Sequence, residues 1–224
     1  MDFIHDYGSK FLTGFGQTLL LSLAAGVLAT VLGTLIAAMR VSPVPVLRGA
    51  GTAYVNVVRN TPLTLIFLGV SQGFPVLNIQ FTQVEGLGVN TFFVFAVFAL
   101  GMYTACFVAE AIRSGINAVP PGQGEAARAV GMTFAQTLRL IVLPQAIRNV
   151  LPPLASTYIA MIKNSAIAEF FGVAEATKVF DDLARDDPSR LYAGFLAVAA
   201  GYVVVTLAVS GVFHLFERKL AVSR

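Results

Sequence analysis

The sequence predicts an all-α integral membrane protein, with five transmembrane helices and a long cytoplasmic loop between the third and fourth. Three observations lead there. Hydrophobic residues make up 56% of the 224 residues and charged ones 12%, about half the roughly 25% usual in soluble domains, and mean hydropathy is +0.76. The few charges are far apart: 29 uncharged residues separate Lys10 from Arg40, 25 separate Arg59 from Glu85, 24 separate Glu85 from Glu110, and 26 separate Arg190 from Glu217. Each gap exceeds the ~20 residues an α-helix needs to cross ~30 Å of hydrocarbon. Finally, the basic residues between the gaps are unevenly distributed, as a membrane topology requires.

Four spans follow from the gaps, at about 18–39, 53–76, 91–112 and 191–216. A fifth, about 153–171, is apolar on both sides of Lys163, which falls near mid-depth. Buried helices of a soluble bundle would show polar faces at a 3.6-residue period, and Leu19–Ala38 has none. The first span is expected to be uncleaved, because its start is acidic (Asp2, Asp6) and its apolar run exceeds the ~7–15 residues of a signal peptide. The whole chain, 1–224, reads as a single transmembrane domain.

Counting Lys and Arg orients the chain. The loops after the first and third spans and the C-terminal tail hold nine: Arg40, Arg48, Arg113, Arg128, Arg139, Arg148, Arg218, Lys219 and Arg224. The opposite side holds four, Lys10, Lys178, Arg185 and Arg190. This predicts a cytoplasmic C-terminus and an external N-terminus, in a bacterial inner or equivalent plasma membrane. A net charge of +3 without a concentrated basic face argues against nucleic-acid binding. The lone Cys106 excludes an intrachain disulfide framework and any multi-cysteine zinc site. His5 and His214 have no partners for a triad or metal site, so neither a metal nor a catalytic residue is expected. Small residues recur every fourth position, as Ala25, Ala29, Gly33, Ala37 and again as Ala193, Ala197, Gly201. They fit close helix packing within a bundle better than a dedicated dimer motif.

The loop at about 117–149 is the longest polar stretch on the cytoplasmic side. Pro120, Pro121 and Gly122 break the chain, and a short helix begins around Glu125-Ala126-Ala127. Gly131 suits a left-handed turn at its end, and Thr133 with Gln136 forms a capping box for the next helix. That helix presents Phe134, Leu138, Ile141 and Val142 before Pro144 interrupts it. Physically this hairpin serves either as a docking surface or as an amphipathic element lying on the membrane.

The spacing of these residues carries a resemblance. Glu125-Ala126-Ala127, then three residues, Gly131, then nine residues and Ile141-x-Leu143-Pro144 resemble the EAA loop of ABC-importer permease subunits. The likeness extends through Glu110, Arg113, Pro121-x-Gln123, Arg59-Asn60-Thr61-Pro62-Leu63 and Lys163-Asn164-Ser165. Over nearly the whole chain it is similar to the polar amino-acid branch (histidine, glutamine, glutamate), nearest to actinobacterial glutamate-uptake permeases through MRVSP, AYVNVVRNTPLTL and FVAEAIRSGIN. The resemblance implies that Glu125, Ala126, Ala127, Gly131 and Pro144 form a coupling helix against a dimeric ATPase subunit. It also implies a second permease subunit, most simply a homologous heterodimer partner, and an external or periplasmic substrate-binding protein. The chain has no GxxxxGK[ST] phosphate loop, so ATP and Mg are expected on the partner ATPase and no cofactor on this chain.

Two cations fall inside the predicted spans. Lys163 at mid-depth costs roughly 2.5–3.5 kcal/mol on insertion scales, so it is expected to face the bundle interior or water as part of a pathway or gate. Asn164 and Ser165 favour a helix irregularity beside it. Arg59 precedes Asn60, Thr61 and Pro62, a cap and first-turn sequence for a helix restarting at Pro62. A carboxylate suits such a helix start beside a guanidinium, although Arg59 pairing with Glu110 explains its presence as well. The expected pathway set is therefore Arg59, Asn60, Thr61, Lys163, Asn164 and Ser165. Outside, the charged run from Glu175 to Arg190 is a solvated loop, with Asp181, Asp182, Asp186 and Asp187 where a binding protein would dock. The expected function is ATP-driven uptake of a polar amino acid, first L-glutamate, then aspartate or glutamine, by alternating access. An ion-coupled carrier or channel is the rival.

Overall fold

The structure, a computed structural model, describes residues 2–79, 81 and 88–220. The loop residue Glu85 and the tail residue Arg224, both used to read the topology, lie outside them. The chain runs through α1 (Asp2–Val41), α2 (Pro45–Asn60), α3 (Leu63–Val76), α4 (Thr91–Asn117), α5 (Pro121–Ala129) and the single turn α6 (Phe134–Gln136). A π-helical stretch, Thr137–Val142, leads into α7 (Leu143–Asn164), which tightens to a 3₁₀ helix over Ser165–Phe171. Then follow α8 (Ala176–Asp186), a 3₁₀ turn Pro188–Arg190 and α9 (Leu191–Leu220). The all-helical expectation holds, with no β-strand among the described residues.

Among the described residues three helices are long and apolar enough to cross a membrane: His5–Val41, Thr91–Asn117 and Pro188–Lys219. They contain the predicted spans 18–39, 91–112 and 191–216. The predicted span 53–76 is divided into two helices. Pro62 has no N–H to donate and pushes Thr61 into extended conformation, at φ −93 and ψ 130, so α2 stops there. Asn60 and Thr61 do not cap the next helix as expected. Their side chains donate backward, to the carbonyls of Asn56 at 2.7 Å and Val57 at 2.8 Å, and finish α2. Pro62 itself precedes α3, whose N-terminus has no side-chain cap. The predicted span 153–171 also differs, because its helix starts ten residues earlier, at Leu143, and runs through Pro152 and Pro153.

The core forms around α4, which packs on α1, α7, α3 and α2. The first small-residue stripe meets it: Ala25, Ala29 and Ala37 are buried on α1. At Gly33 an added Cβ would lie 2.6 Å from Val108 Cβ and 2.9 Å from the Ala105 carbonyl. Gly101 returns the arrangement from α4, with Leu28 filling the space a side chain would need. In lipid, where apolar burial supplies no drive between helices, such approach supplies the dispersion contacts that hold them together. The α9 stripe works differently. Ala193 is exposed, while Gly194 lies against Leu183 of α8 and Gly201 against Phe15 of α1. Replacing Gly33 with Val should overpack the α1–α4 seam and cost about 1–3 kcal/mol, read as a lowered thermal midpoint of the purified protein. An unchanged midpoint would mean that the seam relaxes freely.

Candidate functional site

The loop between α4 and α7 folds as a compact helical hairpin. Pro121 occupies the first turn of α5, where its missing N–H costs nothing. Gly131 terminates α5 at φ +86, a conformation in which a Cβ is disfavoured. The Met132 amide reaches back to the Ala127 carbonyl at 3.1 Å, the Schellman arrangement. The expected capping box is present. Gln136 N–H donates to Thr133 Oγ1 at 3.3 Å, and Thr133 N–H donates to Gln136 Oε1 at 2.8 Å.

Pro144 does not interrupt the helix that follows. It enters the first turn of α7 after the π-helical stretch, where each amide reaches one carbonyl further back and the ladder is re-registered around the missing donor. The register change alters the presented face. Phe134 and Leu138 are exposed, whereas Ile141 and Val142 are half-buried. Of the expected docking residues, Glu125, Ala126, Gly131 and Pro144 are exposed and Ala127 is buried. Val130 and Phe134, at 79% and 77% exposure, add an apolar ridge beside them.

The pathway candidates share a feature that the sequence only half revealed. Arg59 lies in the last turn of α2 and Lys163 in the last turn of α7, so each cation sits at a helix C-terminus, where the backbone dipole favours it. Both helices are interrupted immediately afterwards, at Thr61–Pro62 and at Ser165. Both side chains are exposed on this subunit and neither makes an ion pair among the described residues. Lys163 is therefore not enclosed in this subunit's own core. Ser165, fully buried, donates to the Ile162 carbonyl at 2.6 Å at the α-to-3₁₀ transition. Asn164 lines a cavity of about 310 Å³ between α4 and α7, together with Tyr103, Thr104, Phe107, Ser156 and Thr157. Tyr103, Thr104, Ser156 and Thr157 escaped the sequence reading because hydroxyls in apolar spans carry no charge to mark them.

Glu110 is bound by two arginines, and Arg59 is not one of them. Arg113, one helical turn away, donates to Glu110 Oε2 at 2.9 Å, and Arg40, from the end of α1, pairs with Oε1. The pairing of Arg59 with Glu110 is thereby excluded. Another residue missed is Glu175, which is fully buried. Its carboxylate accepts from Thr18 at 3.1 Å, Tyr202 at 2.8 Å and the Thr177 amide at 2.8 Å, tying α1, α8 and α9 together. Its position at the start of a charged run disguised a buried acid as a solvated one.

These features define a class: a membrane-embedded helical component with an exposed helical hairpin between α4 and α7 and no phosphate loop in its sequence. Comparison with known proteins agrees. Residues 29–222 match the family described as binding-protein-dependent transport system inner membrane component, and the chain belongs to that family. It is 40% identical to the glutamate transport system permease protein GluC of Corynebacterium efficiens, over 98% of this chain and 97% of that one. It is 36% identical to the probable glutamine ABC transporter permease protein GlnM of Bacillus subtilis, over 97% and 96%. The solved structure of an amino acid ABC transporter with histidines superposes at a TM-score of 0.85 with 35% identity, covering 96% of each chain. The resemblance to amino-acid importer permeases stands. The chain is a transport subunit rather than an enzyme, as a member of that family of transport-system membrane components.

Burial holds the Glu175 carboxyl above the ordinary value of 4.5, against the opposing hydrogen bonds from Tyr202, Thr177 and Thr18. An acid with a raised native pKa binds its proton more readily folded than unfolded. Its stabilising contribution is therefore present below the unfolded value and is lost as pH rises through the raised native value. Replacing Glu175 with Gln should flatten that part of the stability profile, measured as thermal midpoint against pH. An unchanged profile would show that Glu175 does not titrate there.

Proposed function

We propose that this chain is a permease subunit of an ATP-driven amino-acid importer whose cargo is L-glutamate, with glutamine as the second choice. The observation that carries the ABC-importer assignment is the hairpin: Gly131 in left-handed conformation, with Glu125 and Ala126 exposed above an apolar ridge. That surface has the shape and chemistry of a short helix end entering a groove on a partner. The cargo assignment rests on the full-length similarity to a glutamate permease, and the glutamine-permease relative supplies the runner-up. In this account all five segments cross the bilayer, α2 and α3 acting as one broken crossing, with the N-terminus outside and the C-terminus in the cytoplasm. The charge asymmetry of the loops supports that orientation.

The assembly contains a dimeric ATPase holding ATP and Mg, a second, homologous permease subunit, and an external binding protein that delivers cargo near the charged helix α8, whose Asp181 and Asp182 pair with Lys178 and Arg185. ATP-driven closure of the ATPase pair moves the hairpins and switches the pathway between outward- and inward-facing forms, and hydrolysis resets it. The cargo route runs past the α4–α7 cavity, where Asn164 and the hydroxyls of Thr104, Ser156 and Thr157 offer neutral hydrogen bonds. Arg59, Asn60 and Thr61 adjoin the uncapped N-terminus of α3, a suitable place for a carboxylate. Lys163 and Ser165 mark the matching interruption of α7.

Replacing Gly131 with Val places a β-branched side chain at positive φ, at a cost of roughly 1–2 kcal/mol. ATPase association and uptake should fall together while the subunit still inserts, as read by co-purification and radiolabelled uptake. Intact uptake would refute the docking role. Arg59→Ala and Lys163→Ala should each lower uptake or change its substrate dependence at normal membrane levels. Unchanged kinetics in both would remove these residues from the pathway.

A further inference from the structure

Near its N-terminal end α1 touches α9. Phe15 lies edge-on to Tyr202 at 5.5 Å and over Gly201, where any side chain would collide with its ring. Thr18 and Tyr202 are joined there through Glu175. Beyond this contact a groove of about 470 Å³ separates the two helices. Leu23 and Val27 of α1 and Val209 and Phe213 of α9 form its walls, and Tyr158 and Met161 of α7 form its floor. Gly26 keeps the floor open, since a Cβ there would come within 3.3 Å of Met161 Cε.

The polar groups in the groove divide into two kinds. Toward its other end the exposed Thr30 donates to the Gly26 carbonyl at 2.6 Å and pairs with the Tyr158 hydroxyl at 2.5 Å, so both hydroxyls are already engaged. One turn below Thr18, Ser22 is 5% exposed and its hydroxyl has no hydrogen-bond partner among the described residues. From Leu19 to Thr30 the groove runs along roughly 16 Å of helix, about half of the ~30 Å hydrocarbon core. Its mouth is continuous with the face of α1 on which Leu19, Leu23, Val27, Val31 and Leu35 are 47–68% exposed at four-residue spacing. What covers that face in a spanning helix is lipid.

We propose that this groove is a binding site for one acyl chain of a phospholipid from the leaflet on the N-terminal side, with the ester end of the chain at Ser22. The bound chain fills an apolar space that does not favour water and braces α1 against α9 where the two are not in direct contact. The site is independent of the transported cargo.

Native mass spectrometry of the assembled complex, released from its membrane in mild detergent, tests this directly. The wild type and a control variant on the same face outside the groove, Leu35→Trp, should each retain one phospholipid per copy of this subunit. Gly26→Leu and Val209→Trp, which fill the groove from α1 and from α9, should lose it while the complex stays assembled. If Gly26→Leu fails to assemble, Val209→Trp decides. Equal retention in the filled variants overturns the proposal. So does crosslinking of a Val27→Cys variant to the partner permease subunit, which would place protein where lipid is proposed.

Discussion

Close approach of helix backbones at small residues, chiefly along α4, is the constraint on which the rest of the structure depends. A chain surrounded by hydrocarbon gains little by burying leucine, so helices adhere where alanine and glycine let them come near enough for dispersion contacts to accumulate. Gly33 against Val108, Leu28 against Gly101 and Val150 against Gly115 bring α1 and α7 onto α4 in this way. The bulky residues either fill the remaining gaps, as Phe67 does against Phe171 at 5.0 Å, or face outward. The Arg40–Glu110–Arg113 cluster fastens the ends of α1 and α4 where the seam closes.

The same packing ties the hairpin firmly to the helices behind it. Thr137 is buried in the π-helical stretch, close to Gly124 of α5, and that stretch continues without a break into α7. Val150 of α7 meets Gly115 of α4 backbone to backbone, and α4 in turn holds α1. A displacement of the hairpin therefore meets packed protein from α5 to α1 rather than a flexible linker. The two interruptions, at Thr61–Pro62 and at Ser165, are where the helical ladder is released. Irregular backbone at membrane depth is tolerated where it is enclosed by protein or lines a cavity, and Asn164 lines one.

Much of this was legible in the sequence for a simple reason: charge is scarce, so its position is informative. The gaps between charged residues located the three long apolar helices, and the glycine, capping-box and proline signals located the hairpin. Proline was less well read. Pro62 broke a helix as expected, but with Asn60 and Thr61 serving the helix behind it, because Pro62 itself occupies the cap position of α3 and leaves both residues outside it. Pro144 was expected to stop a helix, and a π-helical register change absorbed it instead. Glu175 and Arg40 were misjudged for the same reason, since a charge near a predicted loop looks solvated until the neighbouring helices are in place. The hydroxyls of the α4–α7 cavity left no trace, because one Thr or Ser in an apolar helix satisfies its own preceding carbonyl as easily as it faces a cavity.

The account stands most directly on transport by a reconstituted assembly. This subunit, with its partner permease and ATPase, would be placed in liposomes with the cognate binding protein outside and ATP within. The account predicts accumulation of labelled L-glutamate that needs both ATP and the binding protein and is not collapsed by an ionophore. Accumulation that continues without ATP and follows an ion gradient would contradict it, and would make the chain a carrier with a hairpin that docks to nothing.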